Sequence, residues 1–128
     1  VRTFGLWIIA AIGAVTLHTA LYFGDWVPLL GASGAVSGFL GAAARFGFRA
    51  DRRNLRRGFS GPLLGPLASL GQPGVLPFIL IWMAINFATG ANWFGLAGGA
   101  SVAWEAHIGG LITGFFAIGW LGRHPGHR

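Results

Sequence analysis

Polar side chains are so sparse along this chain that the distances between them carry the first structural signal. From Phe4 to Phe23 only Thr16, His18, Thr19 and Tyr22 interrupt an otherwise apolar or glycine-containing run. At helical rise that run measures about 30 Å, the thickness of a hydrocarbon core. Gly24, Asp25 and Pro28 then supply a turn. A second, shorter run rich in Gly and Ala extends from Ala32 to Phe48, a third covers residues 75–90 with Pro77 in its first turn, and a fourth runs from Glu105 to Leu121. The pattern predicts an all-α polytopic bundle of four transmembrane helices, at about 4–23, 32–48, 75–90 and 105–121. The apolar piece from Pro62 to Leu70 is too short to cross and is expected at the interface or under protein cover. Trp93 and Trp104, in the connector before the fourth run, are expected at headgroup level.

Composition strengthens this picture. Hydrophobic residues make up 54% of the 128 and charged residues 9%, with a mean hydropathy of +0.65, outside the balance of a soluble domain. All nine basic residues are arginines, against three acidic ones, giving a net charge of +6 and a pI near 11.9. In a four-span arrangement Arg2, the cluster from Arg45 to Arg57, Arg123 and Arg128 fall on one side, and Asp25 and Glu105 on the other. The positive-inside rule therefore puts both ends and the basic loop at 45–60 in the cytoplasm. A bacterial plasma membrane is the expected location. No aromatic-interleaved basic groove accompanies the charge, so nucleic acid is not an expected partner.

The absent residue types narrow the chemistry. Without cysteine there is no thiolate nucleophile, disulfide or Cys-based metal site, and without lysine no Ser-Lys pair. His124 and His127 in the Gly/Pro-punctuated tail are too few to hold a metal, and no cofactor is expected. What remains is Ser33 and His107. Each precedes a cytoplasmic arginine (Arg49, Arg123) by the same number of residues. Both therefore lie about 24 Å above the inner boundary, near the outer ends of the second and fourth spans. Gly34, Gly38 and Ala42 recur every fourth residue beside Ser33, and Gly110 and Gly114 do so below His107. Such small-residue stripes let backbones approach in lipid.

A serine and a histidine at one depth form a candidate nucleophile and general base for attack on a peptide carbonyl. The backbone N–H groups around Ser33, at the start of its helix, are the candidate oxyanion donors. Gly31 and Gly34 would give a substrate access to that backbone. Glu105 precedes His107 by two residues, so on a helix it points elsewhere and is not a triad acid. His18, near the outer end of its span, is expected to be solvated at the interface. Asn86 and Asn92 are read as caps or cross-links between helices. A soluble α/β-hydrolase does not fit, because Ala35 stands where Gly-x-Ser-x-Gly needs its last glycine. Intramembrane polar residues are also too few to line a transport path.

The "GASG" of residues 31–34 followed by a small-residue helix, and "AWEAHIGGLITG" of residues 103–114, resemble the two signature regions of rhomboid intramembrane serine proteases. The resemblance implies that Ser33 is the nucleophile and His107 the base. It further implies substrates that are themselves transmembrane proteins, cleaved in or near the bilayer without metal or cofactor. It covers the chain as the third to sixth spans of a six-span core, so Val1 is expected to be a cut in a longer protein whose two preceding spans are missing. The family's His-x-x-x-Asn oxyanion pair falls on one of those spans, and here His18 is followed four residues on by Tyr22. Such a piece alone is expected to be weakly active or inactive. Many rhomboids also set an aromatic ring four residues after the nucleophile, against the histidine; Ser37 occupies that position here, so the imidazole must be oriented otherwise. The alternative within the family is a catalytically silent relative that binds membrane clients.

Overall fold

A computed structural model describes residues 2–26, 29, 32–48, 62–91, 93 and 103–122. Among these residues the regular structure is entirely helical: α1 (Arg2–Leu21), α2 (Ser33–Ala44), α3 (Pro66–Leu70), α4 (Val75–Gly90) and α5 (Trp104–Leu121). The basic loop beyond Phe48, most of the connector before α5, Gly31 and Asn92 lie outside the described residues.

Small side chains on α1, α2 and α5 set how the bundle packs. Along α1 the buried positions are Leu6, Ala10, Ala14 and His18, one turn apart on a single stripe. Ala14 meets Gly34 of α2, and Ala10 meets Gly38. The numbers run in opposite directions, so α1 and α2 are antiparallel. Between α2 and α5 they run together: a Cβ added at Gly110 would overlap the Gly34 carbonyl, and one at Gly114 the Gly38 carbonyl. These two helices are parallel and touch backbone to backbone. The first turns of α2 and α5 consequently sit side by side at one end of the molecule.

Because backbone cannot rotate aside as a side chain can, Gly110→Ala should force α2 and α5 apart, at about 1–3 kcal/mol. Gly5, whose surroundings are open, serves as the control. Thermal unfolding in micelles should show a lowered midpoint for Gly110→Ala and none for Gly5→Ala.

Away from those first turns, Ala44, Val75, Ile79, Leu111 and Phe115 form an apolar cluster, with Trp82 and Met83 packed against it. Two expectations need correction at this end. The second apolar run does not continue as helix to Phe48. It stops at Ala44, and Gly47 and Phe48 take φ values of 62° and 54° while the Phe48 N–H donates to the Ala43 carbonyl. This left-handed turn ends the helix. Arg45, assigned to the solvated loop, is buried at 6% exposure. Its Nε donates to the Leu64 carbonyl at 2.8 Å and its Nη1 to the Phe115 carbonyl at 2.9 Å, and the guanidinium lies 5.2 Å from the Phe115 ring centroid. Burial is tolerated because the guanidinium's donors meet carbonyl acceptors.

By length and composition one helix among the described residues is a full-length span, Thr3–Leu21, at 19 residues and mean hydropathy 1.8; Ser33–Ala44 and Val75–Gly90 are apolar but shorter. Large apolar side chains including Phe4, Ile12, Leu80, Ile81, Ile85 and Phe116 point outward. This inside-small, outside-large arrangement suits lipid rather than water. The short α3 exposes Pro66, Leu67 and Ala68, while Ser69 is buried and Leu70 packs against the apolar cluster.

Candidate active site

Ser33 is the first residue of α2, and its helix has no side-chain cap: the preceding Ala32 offers none. The first helical hydrogen bond of this turn runs from the Val36 N–H to the Ala32 carbonyl. The N–H groups of Ser33, Gly34 and Ala35 thus come before the intrahelical ladder begins. Ser33 is exposed, whereas the rest of α2 facing the bundle is buried. One turn on, the Ser37 hydroxyl donates to the Ser33 carbonyl at 2.9 Å and does not reach towards the imidazole. This is the ordinary back-bond of a serine within an apolar helix.

His107 sits in the first turn of α5, half-buried. Its Nε2 lies 2.8 Å from the Ser33 Oγ, across the glycine seam and 74 residues away in sequence. On the other side of the ring, Nδ1 lies 2.5 Å from Oδ1 of Asn86 on α4. The Asn86 Nδ2 donates to the Trp82 carbonyl at 2.8 Å, and the Trp82 ring stands 6.1 Å from the imidazole, centroid to centroid. Three helices therefore contribute to one chain of contacts, Ser33–His107–Asn86. A hydroxyl bonded to an imidazole at this distance can pass its proton to the ring as it attacks an electrophile.

A family model described as "Rhomboid domain" matches residues 1–124. The chain belongs to the rhomboid family. It is accordingly a polytopic membrane helix bundle, from a family that is generally made up of serine intramembrane proteases acting on transmembrane substrates. No curated protein matches it, and no solved structure does.

The other residues singled out in the sequence divide clearly. Gly34, Gly38, Gly110 and Gly114 line the α2–α5 contact, while Gly31 lies outside the described residues. Glu105 faces away from the rhomboid serine and histidine, towards α1. There it lies 2.6 Å from Nδ1 of His18. Both residues are buried, so His18 is not solvated at an interface. Antiparallel packing of α1 on α5 brings the last turn of one against the first turn of the other, which is what pairs them. The second carboxylate oxygen, Oε2, is buried without a hydrogen-bond partner. Among the described residues no cluster of three or more His, Cys, Asp or Glu side chains could hold a metal.

Asn86 was legible only as a residue that cross-links helices, not as part of this site. A positional signal existed: on α4, Val75, Ile79, Trp82 and Asn86 follow at steps of four, three and four. They form one stripe that faces α5. A single amide continuing such an apolar stripe needs a partner on the neighbouring helix.

Proposed function

We propose that this rhomboid is an intramembrane serine endopeptidase that cleaves transmembrane proteins with Ser33 as nucleophile and His107 as general base. The single observation that supports the reading is the 2.8 Å approach of the Ser33 Oγ to the His107 Nε2, made between two helices whose spacing is set by backbone contact. As Ser33 attacks the scissile carbonyl, its proton passes to Nε2. The oxyanion forms beside the N–H groups of Ser33 and Gly34 at the uncapped start of α2, where donors and the positive end of the helix dipole favour negative charge. His107 then hands the proton to the leaving amine, and the acyl group stays on Ser33. A water deprotonated by His107 releases that acyl group and regenerates the hydroxyl.

We further infer the orientation. The end of α2 holding Arg45, with the arginine-rich loop after it, faces the cytoplasm, and Ser33 and His107 lie near the outer face. Exposed Ser33 at the head of a 12-residue helix fits a catalytic group below the membrane surface yet open to water, since that helix reaches only about 18 Å.

The experiment is cleavage of a single-span reporter protein co-reconstituted in liposomes with the full-length protein that contains this chain, with the products mapped by mass spectrometry. Cleavage at one bond in or near the span, undiminished by a metal chelator, is the expected result. Stable capture of the reporter without any cleavage would support a silent, client-binding relative instead.

A further inference from the structure

We infer that Asn86 is a positioning residue for His107: it fixes the tautomer and the rotation of the imidazole so that the Nε2 lone pair faces Ser33. The inference rests on the proposed proteolytic reading for its consequence, but its geometry stands by itself. It follows from which atoms can donate. The Trp82 carbonyl can only accept, so the amide atom 2.8 Å from it is the NH2 of Asn86. This fixes the amide the other way round at its far end, where Oδ1, an acceptor, meets His107 Nδ1. Nδ1 must then carry the hydrogen. A neutral imidazole has one donor and one acceptor nitrogen, so Nε2 is left as the acceptor, and the Ser33 hydroxyl donates to it. Two successive bonds starting from a helix backbone thus decide where a proton resides on the reacting ring.

No other described side chain does this. Ser37 gives its hydroxyl to the Ser33 carbonyl, and Glu105 is engaged with His18. Trp82 approaches the ring in a tilted arrangement, which limits its rotation but cannot choose between tautomers. The role also explains why an amide is placed in the otherwise apolar stripe of α4. Without Asn86 the ring could take its proton on either nitrogen, and the tautomer with hydrogen on Nε2 cannot accept the serine's proton.

The test pairs reactivity with a direct view of the ring. The rate of Ser33 labelling by a fluorophosphonate would be measured in micelles for the full-length wild type, Asn86→Leu and Asn86→Asp, alongside ¹⁵N spectra of the histidine-labelled proteins. Asn86→Leu should slow labelling about 10- to 100-fold at an unchanged half-saturating probe concentration. Asn86→Asp, which still offers an oxygen to Nδ1–H, should stay within several-fold of wild type. In the wild-type spectrum the neutral His107 ring should carry its hydrogen on Nδ1, and in Asn86→Leu it should exchange between both nitrogens. Equal labelling of wild type and Asn86→Leu, or a wild-type ring protonated on Nε2, would overturn the inference. If the wild type is not labelled at Ser33 at all, the proteolytic reading is what fails, and the tautomer in the wild-type spectrum still decides whether Asn86 sets the ring. Should Asn86→Leu not fold, the aspartate variant and the wild-type spectrum carry the same decision.

Discussion

Replacement of Ser33 by alanine should abolish labelling by a fluorophosphonate or isocoumarin probe, and with it all cleavage of a membrane reporter. The expected loss is on the order of 10⁶-fold, the scale on which a serine nucleophile and its base are worth when removed from other hydrolases. His107→Ala should be nearly as severe, because the 2.8 Å contact between Nε2 and Oγ is the only described route by which the hydroxyl can shed its proton. The double substitution should be no worse than either single one, since the two groups act as a unit. Quantified probe incorporation across the three variants checks all of this. Substantial labelling of His107→Ala would mean that a different group activates Ser33. Retained client binding by all three variants, with no cleavage by the wild type, would favour the silent relative.

The largest effect on stability is expected at the opposite face of α5. His18→Ala leaves Glu105 in a site that is almost entirely closed to solvent, with neither carboxylate oxygen hydrogen-bonded. The carboxylate must then stay charged without a partner or take up a proton. Removal of one member of a buried pair typically costs about 3–5 kcal/mol. The pair itself need not be stabilising, because its desolvation offsets much of its attraction. Replacing both residues by leucine should therefore recover most of the loss, and the wild type, His18→Leu, Glu105→Leu and the double leucine variant form a double-mutant cycle readable by thermal unfolding in micelles. A His18→Ala protein as stable as the wild type would show that the pair carries no coupling.

Spans, glycine stripes and the level shared by Ser33 and His107 could be read from the chain because each depends on spacing along one helix or on counting from a charge. The matching family model and the helical bundle bear out the family and the all-helical fold class. Spacing says less about what a residue faces across a gap. Asn86 shares an i, i+4, i+7, i+11 stripe with Val75, Ile79 and Trp82, but α4 is apolar on nearly all sides, so the spacing marks Asn86 as a tie between helices without naming His107 as its partner. His18 and Arg45 failed for a related reason. Polar groups near helix ends are ordinarily assigned to water, yet a carboxylate from α5 reaches the first and backbone carbonyls reach the second. The premature end of α2 came from a backbone turn at Gly47 and Phe48, which hydropathy does not register.

The glycine seam has a consequence for how this protein would respond to lipids of different acyl length. Where a bilayer is thicker or thinner than its helices, the mismatch is relieved by tilt or by local deformation of the membrane. Two parallel rods in backbone contact must lean as one body, so the separation of hydroxyl and imidazole should be insensitive to thickness. The α4 rod meets α5 through side chains rather than backbone, so it would be the one to shift, taking the amide of Asn86 with it. Acyl length would then tune how well the ring is aimed while leaving its distance from the serine unchanged.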